Sequence, residues 1–586
     1  MTAVSEPVRN ARWKAVTRFV PIVAWLPRYD WRWLKADGLA GLSVWALLVP
    51  QSLGYATLAG VPVQYGLYAA FAGVLAYPIF GTCRQLVEGP SGAVCVVVAA
   101  VITPLVGASA MGTSAAAPYA AALALTTAAV YLVLGVLRMG WIANFLSKAV
   151  MAGFILGFSI GIIIDQVHGL LGVPKPSGSY IQELWGTIKE IPDTNGATLL
   201  VGASSLAFLL LARYTAPKLP RALIVMALAI LAVKAFDLQA HGVAITGDIP
   251  TGLFSIGTPG IGWSDSEALL LGALSVIFVG FSESLAAARS VSSKHGYEID
   301  PNQELVAQGM ACGTAGLVGG FAVDGSLSKT SVADAAGQRT QMASLVNAGF
   351  VLLTILFLAS VFENLPSATL SAVVIDAMLG LVTFGSLKRY YRVNRWDWIF
   401  FMGAMAGILC FGIIQGIVIG VVLSLVLLIA RSSQTSVRRL GRAPGSGVYH
   451  DVESQDGLEL PVGIVVARVD GPLFFADADR FRSAIQQLIR QEKAPTAVVL
   501  DAESIHLSDT DGADILIQIA GELRSQEISL VLAHVHPDVL ALWQRAGVVT
   551  AVGKGSLFES VDEAVAALEH GRTLAPVGTE EEGAPR

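Results

Sequence analysis

Lys329 is the residue with the most chemistry to offer, because it lies one turn into a helix-compatible run that begins inside an apolar segment. The surrounding stretch, GGFAVDGSLSKTSV from Gly319 to Val332, cannot all be ordinary helix. Non-helical backbone within hydrocarbon survives only where protein or a water-filled cavity satisfies its N–H and C=O groups. Asp324-Gly325-Ser326 is a turn and N-cap signal, so the sequence predicts a half-helix that starts at mid-membrane depth. Its free amides, from Gly325 and Ser326 through Leu327 and Ser328, and the positive end of its dipole suit an anion. Lys329 would add a full positive charge. A second stretch has the same design. RQLVEGPSGAV, residues 84–94, sets Ser91, Gly92 and Ala93 just ahead of the apolar run VCVVVAAVI. Two interrupted segments in corresponding positions of two halves point to the substrate site of a transporter.

Three further groups could serve such a site. Glu283, in VGFSESLAAARS, is an ionisable residue within an apolar segment, where such residues mark ion pathways or pairs. It could bind a cotransported proton, neutralise Lys329, or pair with Arg289; sodium is the second choice of coupling ion. Gln51 and Tyr55, one turn apart, share a helix face and either line a cavity or hydrogen-bond between helices. Asp165 and His168 are spaced for a proton relay or an interfacial pair.

The elements that must position these residues are membrane spans. Of 586 residues, 54% are hydrophobic and only 14% charged, with a mean hydropathy of +0.63, which excludes a soluble enzyme of this size. Apolar segments fall near 38–57, 65–81, 91–107, 118–137, 143–171, 197–212, 221–236, 266–288, 303–320, 326–338, 341–361, 367–384, 396–411 and 412–430. That makes about fourteen against a span of about 20 residues. The two short ones, read as half-helices, are the interrupted ones. Lys and Arg concentrate in alternate turns, at Arg84, Arg138, Arg213, Lys218, Arg289, Arg339 and Arg392 among others, and on the basic leader 1–37. That asymmetry places the leader in the cytoplasm. Seven segments precede the extracytoplasmic loop 238–264 and seven follow it, so the halves, 38–237 and 265–431, should be inverted and the two half-helix tips should meet near the midplane.

Beyond Arg431 the pattern changes. A linker over 432–460 leads to alternating strand-like and helix-like runs over 461–571, a small cytoplasmic α/β domain, and an acidic tail, 572–586, that reads as disordered. The four cysteines lack metal-ligand spacing and read as small core residues. Nothing predicts a catalytic residue, cofactor, metal site or nucleic-acid partner.

Together the stretches VPQSLGYATLAGVPVQYGLYAAF (49–71), FGTCRQLVEGPSGA (80–93), PNQELVAQGMACGTAGLVGGF (301–321), GSLSKTSVADAAGQRTQ (325–341) and DGPLFFADADRF (470–481) resemble the SulP family of anion transporters, known in animals as solute carrier family 26, with a C-terminal STAS domain. The resemblance covers nearly the whole chain. It implies an α-helical polytopic fold of seven plus seven inverted segments in core and gate domains, an elevator-like motion, and a homodimer. It also implies anion contacts at Gln51 and Tyr55, at Ser91 to Ala93, near Glu283 and at Ser326 to Lys329. Two departures stand out: Glu88 occupies a place where a small residue is usual, and Lys329 replaces the more common Arg, losing a bidentate fork for oxyanions. At the position resembling the phosphorylatable Ser of anti-sigma antagonists the chain has Asp511, with Thr510 adjacent, which predicts no identical phospho-switch. The reading is a secondary active transporter in the cytoplasmic (inner) membrane, carrying sulfate, bicarbonate or a C4-dicarboxylate with a proton. A nucleobase permease of similar architecture, a passive anion channel and a signalling scaffold are the alternatives.

Overall fold

The computed structural model describes residues 17 and 19–570, apart from 146–147, 177–178, 217–218, 248, 250–253, 255, 263–264, 383, 433–435 and 476. Most of the basic leader, Lys218 and the tail 572–586 therefore lie outside the described residues. The chain forms two compact units, Met1–Leu425 and Val426–Arg586.

In the first unit a helix underlies each apolar segment. Among the described residues six are long and apolar enough to cross a membrane, including Ala117–Val136, Lys148–Leu171 and Ser266–His295. The two interrupted segments are short, as their sequence requires: Gly92–Val106 and Leu327–Ala335. Apolar side chains face outward as well as inward, with Leu200, Leu231 and Val136 each more than half exposed, the pattern of a surface solvated by lipid. The helices sort into two bundles. In one, Pro301–Leu317 packs on Ala117–Val136 and Gln64–Phe80, and Ser266–His295 lies along Gly92–Val106. In the other, Lys148–Leu171 packs on Arg395–Phe411 and Ser367–Leu381. The helix Leu34–Leu58 touches both. The helices Tyr180–Lys189 and Phe384–Val393 have no counterpart in the apolar pattern, because both are amphipathic and too short to span.

The second unit is a six-stranded sheet in the order Tyr449–Asp451, Ser436–Arg442, Ile464–Asp470, Ala497–Asp501, Ser529–Ala533, Leu557–Phe558. Its last four strands run parallel. Alternation along Ile464–Asp470 sends Val465, Ala467 and Val469 into one core and Ile464 and Val466 into another, so helices cover both faces. Two of these strands, Ser436–Arg442 and Tyr449–Asp451, lie within residues 432–460, which the sequence reads as a linker. The arginine-rich run is held as a strand because its charges are paired: Arg438 with Asp451 at 2.6 Å and Asp470 at 3.3 Å, and Arg439 with Glu492.

Candidate substrate site at two paired helix starts

Residues 81–91 are non-helical backbone in the first unit, buried apart from Thr82 and Arg84, and most of the contacts that hold them come from far along the chain. Glu304, 2% exposed, accepts from the Thr82 amide at 2.8 Å, the Thr82 hydroxyl at 2.5 Å, the Cys83 amide at 3.3 Å and the Tyr77 hydroxyl at 2.7 Å. Gln341 donates to the carbonyls of Cys83 and Leu86 at 2.8 and 2.9 Å, and Gln338 donates to that of Arg84 at 2.9 Å. The Val87 amide donates to Thr330 Oγ1 at 3.1 Å. A helix break is thus kept at depth by side chains that replace water.

The break ends in a two-residue strand, Glu88–Gly89, paired antiparallel with Asp324–Gly325 of the other break. Glu88 stands opposite Gly325 and Gly89 opposite Asp324, so the chain crosses the pair in opposite senses. Further bonds fix the crossing: Ser326 N–H to the Val87 carbonyl at 3.2 Å, and Gly325 N–H to Ser284 Oγ at 2.7 Å. Close approach is needed here. A Cβ on Gly73 would lie 3.1 Å from both the Cα and N of Gly89, which lets the Gln64–Phe80 helix press on the strand.

A helix starts immediately beyond each strand. Ser91 caps Gly92–Val106 by accepting from the Val94 amide at 3.4 Å. Leu327–Ala335 begins at Ser326, whose hydroxyl lies 3.0 Å from that of Ser328. The amides of Gly92, Ala93, Leu327 and Ser328 are those that a helix start leaves without an intrahelical partner. The crossing therefore gathers two sets of N–H groups and two positive dipole ends.

Lys329 is fully buried and donates to the Pro90 carbonyl at 2.6 Å, tying one helix start to the other break. Its charge faces Asp324, Glu88 and Glu283. Glu88 accepts from Gln308, while Glu283 is only half-buried. The charge that acts on Glu283 is Lys329, and Arg289 is exposed. On the Leu34–Leu58 helix, Gln51 and Tyr55 are buried. A Cβ on Gly92 would lie 3.6 Å from the Tyr55 ring, and Tyr55 also senses Glu283 and Asp324. The structure thus brings Tyr55, Ser91, Gly92, Gly325, Ser326, Lys329 and Glu283 into one neighbourhood. Asp165 is ion-paired with Lys175 and also lies close enough for its charge to act on His168.

Sequence reading missed Glu304, Gln308, Gln338 and Gln341, although PNQELVAQ and GQRTQ carry them; buried polar residues in such runs were the available signal. In the second unit Asp511 and Thr510 are exposed at the start of the helix Thr510–Ser525, which Asp509 caps. There the fold also groups Asp501, Glu503 and His534, with ligand atoms within 4.8 Å of one another, a cluster that no spacing in the sequence announces.

The sulfate permease family model matches residues 34–404, the whole of the interrupted pair included, and the STAS domain model matches residues 457–564. The chain belongs to the sulfate permease family. A probable sulfate transporter of Mycobacterium tuberculosis is 32% identical over 94% of this chain and 98% of its own length. Sulfate transporter 3.1 of Arabidopsis thaliana is 28% identical over 94% of this chain and 87% of its own. Among solved structures, the murine solute carrier 26 member A9 anion transporter superposes with a TM-score of 0.89 at 24% identity, covering 97% of this chain and 96% of that one. The transmembrane domain of the cyanobacterial bicarbonate transporter BicA superposes with a TM-score of 0.58 at 21% identity, over 68% of this chain and 98% of its own. These likenesses establish the fold: a helical polytopic membrane protein of the sulfate permease type with a C-terminal STAS domain.

Proposed function

We propose that this sulfate permease family member is a secondary active anion transporter, with sulfate as the first substrate and bicarbonate or a C4-dicarboxylate as the others, coupled to proton entry. The observation that carries the reading is the antiparallel pairing of Glu88–Gly89 with Asp324–Gly325, which sets two helix starts side by side. The names of the relatives support sulfate. The amides of Ser91 to Ala93 and of Leu327 and Ser328 replace the anion's hydration, those of Gly325 and Ser326 being taken by Ser284 and Val87, with Gln51 and Tyr55 lining the site. Lys329 offsets charge from behind the helix starts. Glu283, half-buried and facing Lys329, takes the coupling proton. Fourteen crossings in two inverted sets of seven, an elevator-like shift of one bundle against the other, a homodimer, and a cytoplasmic leader and STAS domain in the inner membrane complete the proposal.

The test is counterflow and net uptake in proteoliposomes with labelled sulfate, bicarbonate and fumarate at two pH values, with and without sodium. Wild-type protein should accumulate sulfate when the outside is acidic. Glu283→Gln should cut that accumulation and keep anion exchange. Accumulation unchanged in Glu283→Gln would remove the coupling assignment, and uptake of uracil or xanthine instead of an anion would replace the substrate class.

A further inference from the structure

Glu88 and Asp324, the acids on the paired strands, have no part in the reading above. Glu88 is 1% and Asp324 0% exposed. Together with Glu283 they set three carboxylates around a single lysine. Fully ionised, the group would hold two uncompensated negative charges at membrane depth. Burying even one unpaired charge is strongly unfavourable, and such a group would repel the anion that the helix starts invite.

Hydrogen bonding gives an independent indication. Gln308 uses its N–H on Glu88 Oε1 and Lys329 donates to the Pro90 carbonyl. The second oxygen of Glu88, both oxygens of Asp324 and the Gln308 carbonyl oxygen are buried without a hydrogen-bond partner. The Ser91 hydroxyl is near enough to act on Asp324, though not in hydrogen-bonding geometry. All of these orphaned atoms are acceptors. An anion would bring only more acceptors, whereas a proton turns a carboxylate into an O–H donor.

The packing favours a proton over a larger cation. A Cβ on Gly325 would lie 3.0 Å from Glu88 Oε1, and one on Gly280 would lie 3.3 Å from Asp324 Cβ and 3.5 Å from the Tyr131 hydroxyl. The titratable groups facing the two acids from the surrounding helices are few. Glu283 and Lys329 act on both. Glu304 acts on Glu88 but its own oxygens are taken by Thr82, Cys83 and Tyr77. Tyr77, Tyr131, Tyr55, Cys95 and Cys312 complete the set among the described residues.

We propose that Glu88 and Asp324 form a second proton-holding position beside Glu283, so that two protons accompany each anion. The inference rests on the coupled-transport reading and deepens it.

The experiment measures stoichiometry with the full chain in proteoliposomes, the membrane potential clamped at zero with potassium and valinomycin. Against a tenfold outward-directed anion gradient, net flux vanishes at a pH difference of about 0.5 unit for two protons per anion and about 1 unit for one. Wild type should null near the smaller value, and a Glu88→Gln/Asp324→Asn variant near the larger one. A wild-type null near the larger value overturns the proposal without requiring any variant to fold. So does a double variant that transports and nulls where wild type does, and in both cases coupling through Glu283 stands. Flux indifferent to pH difference in wild type refutes the coupled reading itself, and this inference with it.

Discussion

Replacing Glu304 by leucine should disable the molecule more than replacing any acid on its surface, because this one side chain holds the entry to the first break. Four donors converge on it: the Thr82 and Cys83 amides and the Thr82 and Tyr77 hydroxyls. The hydroxyls can turn toward other acceptors, but the amides are fixed by the backbone. An orphaned buried donor costs about 1–3 kcal/mol, so the leucine variant should lose about 2–6 kcal/mol on the amides alone. That is a large fraction of the roughly 5–15 kcal/mol that holds a typical fold together. Glu304→Gln keeps a carbonyl oxygen for the amides and should lose much less. The assay pairs the thermal midpoint of the solubilised protein with sulfate uptake in proteoliposomes. Leucine should lower the midpoint by several degrees and abolish uptake, since the strand at Glu88–Gly89 loses its anchor; glutamine should lie between leucine and wild type. A leucine variant with wild-type midpoint and wild-type uptake would refute the view that distant side chains maintain the break.

Two other outcomes follow from local geometry. Gly73→Val should abolish transport, because its Cβ would meet the backbone of Gly89 at 3.1 Å, whereas Gly349→Ala, with nothing within 4 Å of the added atom, should be silent in the same uptake assay. Glu183, on the short helix Tyr180–Lys189 between spanning segments, is raised to about 7 by burial, against the opposing pull of Lys175. A carboxyl whose folded value is raised contributes stability below its unfolded value and loses it as pH rises through the folded one. The docking of this helix should therefore loosen as pH rises from about 5 to about 7, seen as faster hydrogen exchange over 180–189 relative to Glu183→Gln, whose exchange should lack that added rise; equal pH responses would contradict the assignment.

The two helix starts of the candidate site were legible before any coordinates. Gly-Pro-Ser before one apolar run and Asp-Gly-Ser before another mark helix starts by local backbone preference, and the structure begins helices at Gly92 and Leu327. The strand Ser436–Arg442 escaped notice because five of its seven residues are arginine, glycine or serine, and only cross-sheet partners such as Asp451 and Asp470 neutralise it.

What the sequence determined by itself was where hydrocarbon-soluble helix is available and where it must stop, since hydropathy and backbone preference are properties of neighbouring residues. What only the tertiary structure decided was who satisfies the stopped backbone and who shares a charge. Gly89 opposite Asp324, Glu304 on Thr82 and Lys329 on Pro90 join residues more than 200 positions apart. No local preference encodes such pairings; they follow from burial, which obliges each polar group to find a partner wherever the fold supplies one.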